Sequence, residues 1–155
     1  MPSFRAMTEA DLPEVSKLGI ESKATWGYPP GQMAVFREEL TFDSNNLHSL
    51  TVAEVAMECD RLVGYYTLRR HADGSLELDH MFVAADRLRR GIGATMLQRA
   101  ILKARELGAT SLMLIADPSA SGFYERFGAI KTGDHQSSIP DRTIPIYEIE
   151  LGADD

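Results

Sequence analysis

Residues 76–99, LELDHMFVAADRLRRGIGATMLQR, decide the fold. Leu76 to Val83 reads as a strand, rich in β-formers and alternating in character. Strict alternation puts Glu77 and Asp79 on one face with Met81 and Val83, and Leu78, His80 and Phe82 on the other. A short polar connector carries Arg87, Arg89 and Arg90 into Gly91-Ile92-Gly93, and a helix follows. Its apolar stripe is Ile92, Met96, Leu97, Ala100, Ile101, Ala104 and Leu107, at helical spacing, and Gly108 is a natural stop. Strand, basic glycine-bearing turn and helix N-terminus together build an anion site. The first turn of a helix leaves backbone N–H groups unpaired, and glycines let a phosphate come close to them.

Outward from this unit, the elements alternate in type. On the N-terminal side, Phe4 to Met7 is a short strand, and Asp11 with Glu14 suggests a capping box opening a helix that runs to about Lys23. A loop with two large aromatics, Trp26 and Tyr28, leads to a second helix over Gln32 to Leu40, and 41–46 is polar linker. Leu50 to Met57 and Leu62 to Leu68 are strands joined as a hairpin through 58–61, and Asp73-Gly74 turns the chain into the central strand. On the C-terminal side, Ser111 to Ala116 is an apolar run suited to a buried strand. Asp117-Pro118-Ser119 opens a short helix over Ala120 to Phe127, and two last strands occupy Ala129 to Gly133 and Ile144 to Leu151. Pro145 places the last of these at an edge or at its own start. The fold class is α+β: one mixed, mostly antiparallel central sheet of about six to seven strands with about four helices.

With 155 residues, 44% apolar and 25% charged, the chain 1–155 is expected to be a single domain with a full core. No apolar run reaches the length of a membrane span, and the N-terminus lacks a signal peptide's apolar core. One cysteine, Cys59, precludes an internal disulfide and suits a reducing, cytoplasmic compartment. A net charge of −7 disfavours a nucleic-acid partner and favours a cationic small one. Against that background the three arginines at 87, 89 and 90 form a local positive patch. The histidines at 48, 71 and 135 lack ligand spacing, so no metal site is expected.

The glycine turn matches neither of two phosphate-binding motifs, and a glycine-bearing helix start with no ligand is the plainer alternative. A dinucleotide fingerprint needs a third glycine where Met96 stands, and a P-loop needs Gly-Lys-Ser/Thr. A second signal, Asp117 to Ala129 (DPSASGFYERFGA), sets a Phe-Tyr pair in a short helix after a buried strand. Both aromatics suit a core, and a tyrosine hydroxyl can also donate a proton. Taken together, Arg87 to Thr95 and Asp117 to Ala129 resemble the GCN5-related N-acetyltransferase (GNAT) superfamily. Its signatures are a Q/R-x-x-G-x-G/A turn and a later N-x-x-A-x-x-F/L-Y-E-K-x-G-F segment. Gly91 and Gly93 take the two glycine positions, and Ala120, Phe123, Tyr124, Glu125, Arg126 and Gly128 fill the second signature. Leu88, Asp117 and Ala129 depart from the usual Gln/Arg, Asn and Phe.

The resemblance implies an N-acetyltransferase moving an acetyl group from acetyl-CoA to a primary amine of a small molecule or peptide by direct attack. The CoA pyrophosphate would lie on Arg89, Arg90, Gly91, Ile92, Gly93, Ala94 and Thr95. The pantetheine arm would pair with Met81, Phe82 and Val83 and meet Asp117. Tyr124 would protonate the leaving thiolate, and Glu77 would take the amine's proton, with Asp79 beside it. Trp26, Tyr28 and Asp79 would border the acceptor. His80, counted onto the face opposite Glu77, reads as a packed core histidine. Carboxylates and aromatic rings on that side suit a cationic acceptor. Homodimers are common among such relatives, so a second copy is among the expected partners. The rival from another class is a non-catalytic acyl-CoA-binding module, which needs neither Tyr124 nor the strand carboxylates.

Overall fold

A computed structural model describes residues 2–152. Strand β1 (Ser3–Ala6) leads through a 3-10 turn into helix α1 (Leu12–Ala24), followed by α2 (Pro30–Leu40) and α3 (Ser44–His48). A meander of β2 (Val52–Glu58), β3 (Arg61–Arg70) and β4 (Leu76–Val83) precedes α4 (Ile92–Glu106). Then come β5 (Ser111–Ile115), α5 (Ser121–Arg126), β6 (Ile130–Gln136) and β7 (Thr143–Glu150). The seven strands form one sheet in the order β1-β2-β3-β4-β5-β7-β6. Every pairing is antiparallel except β4 with β5. The fold class read from the sequence holds.

Several local expectations need correcting. Five α-helices are present among the described residues, not about four, because the 41–46 linker contains the start of α3. Asp43 nucleates it: its Oδ1 accepts the Asn46 N–H at 2.8 Å, and Asn46 returns the bond to the Asp43 N–H. Asp11 does not cap with Glu14. Its Oδ2 instead accepts the Thr8 N–H at 2.8 Å, and both carboxylate oxygens hold the Arg5 guanidinium. That fork holds the Asp11 carboxyl at about 2, well below its ordinary value, despite burial. The β2–β3 hairpin turns on two residues, Cys59 and Asp60, both at positive φ, as the twist of tight hairpins requires. Pro145 is not at an edge but near its strand's start, the other expected placement: it is the third residue of β7, opposite Asp134 on the edge strand β6.

The decisive departure is in β4. Thr67 pairs with His80, but the next β3 residue, Leu68, pairs with Leu78, so Asp79 is the extra residue of a β-bulge. A bulge resets alternation. Directly opposed residues share a face, so the β3 register sorts β4 into two sets. Leu76, Leu78, Met81 and Val83 oppose Arg70, Leu68, Tyr66 and Gly64, on the face that packs on α4. Glu77, His80 and Phe82 oppose Arg69, Thr67 and Tyr65, on the face toward α1 and α2.

Each face has its own core. Leu97, Ala100 and Ala104 of α4 are fully buried against Leu68, Leu112 and Leu114, with Tyr147 and Ile149 close by. On the other side Val15 and Leu18 of α1 and Phe42 pack on Val55 and Tyr65. Burying a large aliphatic side chain contributes about 1.5–3 kcal/mol, so these two layers fix the sheet between the helices.

Candidate active site

The bulge also parts the sheet. Strands β4 and β5 pair only at Glu77↔Met113 and Leu78↔Leu114. Beyond Leu78 the β4 edge that faces β5 has no strand partner, while β5 continues along β7 to Ile115. The gap between the diverging strands becomes a cleft of roughly 1200 Å³. One wall is the bared edge at Met81, Phe82 and Val83, and the opposite wall is Ile115 to Asp117 with Tyr124. An unpaired strand edge presents backbone donors and acceptors to any extended ligand.

At one end of the cleft lies the turn into α4. Gly91 is the residue before the helix, with φ +83°, and a side chain there would be strained although it would meet no atom within 4 Å. Arg89 also sits at positive φ, 63°. The first N–H to find a backbone partner is that of Thr95, which donates to the Gly91 carbonyl at 3.1 Å. Among the described residues the N–H groups of 88–94 have none. Arg89 and Arg90 are exposed and make no ion pair among the described residues, whereas Arg87 is held by Glu58 at 3.5 Å. Bare amides at a helix N-terminus beside unpaired guanidinium groups fit a diphosphate. Gly93 also borders the cleft; a Cβ there would stand in ordinary contact with Phe123 and Val83.

Tyr124 projects from α5 into the cleft wall and is 8% exposed. Burial raises its pKa, and the charge of Asp117 raises it further, so the phenol stays protonated. Its hydroxyl takes no hydrogen-bond partner among the described residues, although no fully buried polar side-chain atom is left unsatisfied there. The hydroxyl is therefore not sealed from solvent, on a residue that lines the cleft.

Glu77 and Asp79 both line the cleft, in different states. Glu77 is 8% exposed, and its Oε1 meets His71 Nε2 at 2.6 Å. Asp79, on the bulge, accepts from Arg69 Nη2 at 3.0 Å. The bulge brings His80 to the Glu77 side, which corrects the reading that placed the two on opposite faces. His80 Nδ1 lies 3.2 Å from the Tyr65 hydroxyl, and the ring is caged by Phe42, Tyr65 and Phe82. Burial lowers its pKa, Arg69 and Lys23 push the same way and Asp79 opposes them, so the imidazole is neutral.

The far end is closed by a cluster no sequence pattern announces. Asp117 Oδ2 accepts from Lys23 Nζ at 2.8 Å and from the Tyr28 hydroxyl, with Arg142 Nη2 3.7 Å away. Arg142 also donates to the Tyr28 oxygen at 2.9 Å. Lys23 lies 4.3 Å over the Phe36 ring, and Tyr28 meets that ring edge-on. Burial works against ionisation of Asp117, but the bonds from Lys23 and Tyr28 outweigh it and hold its pKa below the ordinary value. Burial and the Asp117 carboxylate together push the Tyr28 phenol up to about 12. Asp117 thus ties α1, the 25–29 loop and the start of β7 together, and its other oxygen caps the following turn through the Ser119 N–H. Tyr28 is an anchor of that tie. Trp26, 45% exposed, stands at the rim of the cleft.

The structure therefore brings Glu77, Asp79, Met81 to Val83, the 89–95 turn, Asp117, Tyr124 and Trp26 around one cleft, with Tyr28 behind it. Lys23, His80 and Arg142 were not legible as members, nor was His71, which reaches the cleft through its bond to Glu77. No group of three or more metal-binding side chains occurs among the described residues, and no described helix is long and apolar enough to cross a membrane.

Comparison with known proteins gives the same answer from another direction. The family model described as an acetyltransferase (GNAT) domain matches residues 12–139. No curated protein matches the chain. Among solved structures, a GCN5-related N-acetyltransferase from Rhodopseudomonas palustris superposes with a TM-score of 0.82 at 17% identity, over 97% of this chain and 96% of that one. The PaiA N-acetyltransferase of Thermoplasma acidophilum, solved with coenzyme A, gives 0.80 at 18% identity, over 97% and 99%. The ribosomal-protein-S18-alanine N-acetyltransferase of Escherichia coli gives 0.73 at 16%, over 97% and 94%. Parted strands, a bare-amide turn beside them and a family model spanning both motifs agree: the chain belongs to the GNAT acetyltransferase family.

Proposed function

We propose that the chain is an N-acetyltransferase that moves an acetyl group from acetyl-CoA to a primary amine of a small molecule or peptide. The observation that carries this reading is the β4 bulge, which leaves the edge at 81–83 unpaired in the same cleft as the bare amides of 88–94. A long donor with a diphosphate at one end and an amide-bearing arm needs that pairing of features. Relatives solved with coenzyme A or acetyl-CoA share the fold and support the choice of donor.

Acetyl-CoA supplies the thioester carbon that the amine attacks. Residues 89–95 would hold the pyrophosphate, and a backbone N–H of 81–83 would polarise the thioester carbonyl. Asp117 contributes through its cap and its tie to Lys23 rather than as an unoccupied acceptor for the pantetheine arm. The amine reacts as its free base, its ammonium proton having passed to water; as its nitrogen bonds to carbon, Glu77 takes the proton that the nitrogen then sheds. As the C–S bond breaks, Tyr124 gives its phenolic proton to the sulfur. Asp79 stands beside Glu77 with one oxygen already bonded to Arg69.

The acceptor is proposed to be cationic with an apolar or extended body. Trp26 offers an exposed ring at the rim, and Glu39 adds a carboxylate bound, among the described residues, only to the Ser138 hydroxyl.

Calorimetry and a thiol-release assay test this together. Hydrogen bonds to charged groups contribute about 1.5–3 kcal/mol each, so Gly91→Val, by disturbing one or two amides, should weaken acetyl-CoA binding tens-fold or more. Unchanged binding in a folded variant would overturn the donor assignment. Binding without turnover of any primary amine would leave the non-catalytic module instead.

A further inference from the structure

Among the described residues His71 is the one titratable side chain hydrogen-bonded to the proposed base, and neither sequence motif includes it. We propose that His71 is the positioning residue of Glu77: it grips one carboxylate oxygen and leaves the other open on the cleft to take the amine's proton. This rests on the acetyl-transfer reading above and on Glu77 as its base.

The geometry begins with the backbone. His71 follows the last residue of β3, and its turn is closed from both directions: its N–H donates to the Ser75 carbonyl at 2.8 Å and its carbonyl accepts the Gly74 N–H at 2.9 Å. Asp73 stiffens the same turn, its Oδ1 accepting both the N–H and the hydroxyl of Ser75. The imidazole is thus carried on a braced support, six residues before the carboxylate it meets.

Within the pair, Nε2 to Oε1 is 2.6 Å, at the short end for a hydrogen bond between nitrogen and oxygen. Glu77 makes no other side-chain hydrogen bond among the described residues, so Oε2 is uncommitted. No fully buried polar side-chain atom there lacks a partner, so Oε2 opens on the cleft that Glu77 lines. A glutamate has three side-chain torsions, and an unheld one samples many positions. The His71 bond selects one of them. Misplacing a reacting group by about 1 Å can cost on the order of 10²-fold in rate, which is the scale of effect a positioning bond controls.

The pair also spans from wall to solvent. The Glu77 side chain is 10% exposed and the His71 side chain 36%. Nδ1 of His71 has no partner among the described residues. The other charged groups on this stretch are Arg69, opposite Glu77 on β3 and bonded to Asp79, Arg70, which donates to the Gly74 carbonyl at 3.0 Å, and Asp73 in the turn.

The test uses the full chain with acetyl-CoA and three probe amines, phenethylamine, cadaverine and a peptide with an unblocked N-terminus. His71→Leu removes the grip, while His71→Gln keeps an N–H donor at nearly the same reach. With the best probe, His71→Leu should lower kcat about 10- to 100-fold while the acetyl-CoA KM moves less than about twofold, and His71→Gln should recover most of the loss. In the Glu77→Gln background, His71→Leu should cost little more, because the two act as one unit. Full activity of a folded His71→Leu chain, or additive losses in the double variant, would overturn the proposal while leaving acetyl transfer intact. An equal loss in the Leu and Gln variants would do the same. If Glu77→Gln alone changes nothing, the base assignment fails and His71 falls with it. If the unmodified chain turns over none of the three amines, the acetyl-transfer reading itself is overturned.

Discussion

Tyr124 shows what a single residue's surroundings decide. The same phenol could be core or catalyst; what separates the two is where its oxygen points and which protonation state it keeps. Its burial beside Asp117 raises the pKa, so the proton stays on across the range of about pH 6 to pH 9 in which enzymes are assayed. Tyr124→Phe removes that proton and keeps the ring in its packing with Phe123. The expected outcome is a kcat lower by about 10²–10⁴-fold with little change in acetyl-CoA affinity, read by steady-state kinetics and calorimetry on the same sample. Because the folded pKa is raised, no tyrosine ionisation should bend the wild-type rate profile below that window's upper end. A loss under about threefold, with chemistry rate-limiting, would make Tyr124 a packing residue. The tyrosine was legible in the sequence from its motif. His80 was not, because counting by twos along β4 assumes an unbroken strand, and one extra residue at Asp79 turns every later side chain over.

At the scale of elements, the cleft exists because β4 stops pairing with β5 after Leu78, and it keeps its shape because Asp117 ties the far side together. Strand, turn and helix from 76 to 106 were readable locally, since amphipathic spacing and glycine punctuation are short-range signals. The tie was not, because its partners, Lys23 and Tyr28, lie 94 and 89 residues away in sequence. The same holds for α3, whose cap signal in Asp43-Ser44-Asn45-Asn46 looks like linker until Phe42 is seen buried beside it. Asp117→Asn tests the tie. Removing one partner of a buried charge pair commonly costs about 3–5 kcal/mol, and asparagine retains part of the hydrogen bonding, so a loss near the low end is expected in denaturant melts. The sign of the pH dependence follows from the depressed pKa. The Asp117 contribution is full above the ordinary carboxylate value of 3.8 and disappears as pH falls through the lower folded value. Wild type and Asp117→Asn should therefore converge in stability in acid and diverge toward neutrality. A constant gap between the two curves would mean that the lost interaction is not ionic.

The whole molecule carries a net charge of −7, yet the cleft divides that charge unevenly. Its donor end is positive through Arg89 and Arg90, which suits phosphate groups. Its acceptor end mixes signs: Asp79 is matched by Arg69 and Asp117 by Lys23 with Arg142, while Glu77 is hydrogen-bonded to His71. Local pairing therefore cancels most of the attraction that a count of carboxylates suggests. What is left for an incoming ammonium is the field of the whole acidic surface, Glu39 at the rim and the open face of Trp26. The first two act at long range and are screened by salt, with a Debye length of about 10 Å at 0.1 M, while the ring acts only in contact. Two effects should separate on that basis. Raising salt should increase KM for a cationic amine and leave KM for a neutral hydroxylamine-type acceptor nearly unchanged. Trp26→Ala should increase KM for the cationic amine at every salt concentration by about 2- to 30-fold, the range that about 0.5–2 kcal/mol of cation–π attraction allows, with KM for acetyl-CoA almost constant. A best acceptor with net negative charge would overturn the electrostatic half of this reading. An unchanged KM in Trp26→Ala would overturn the aromatic half.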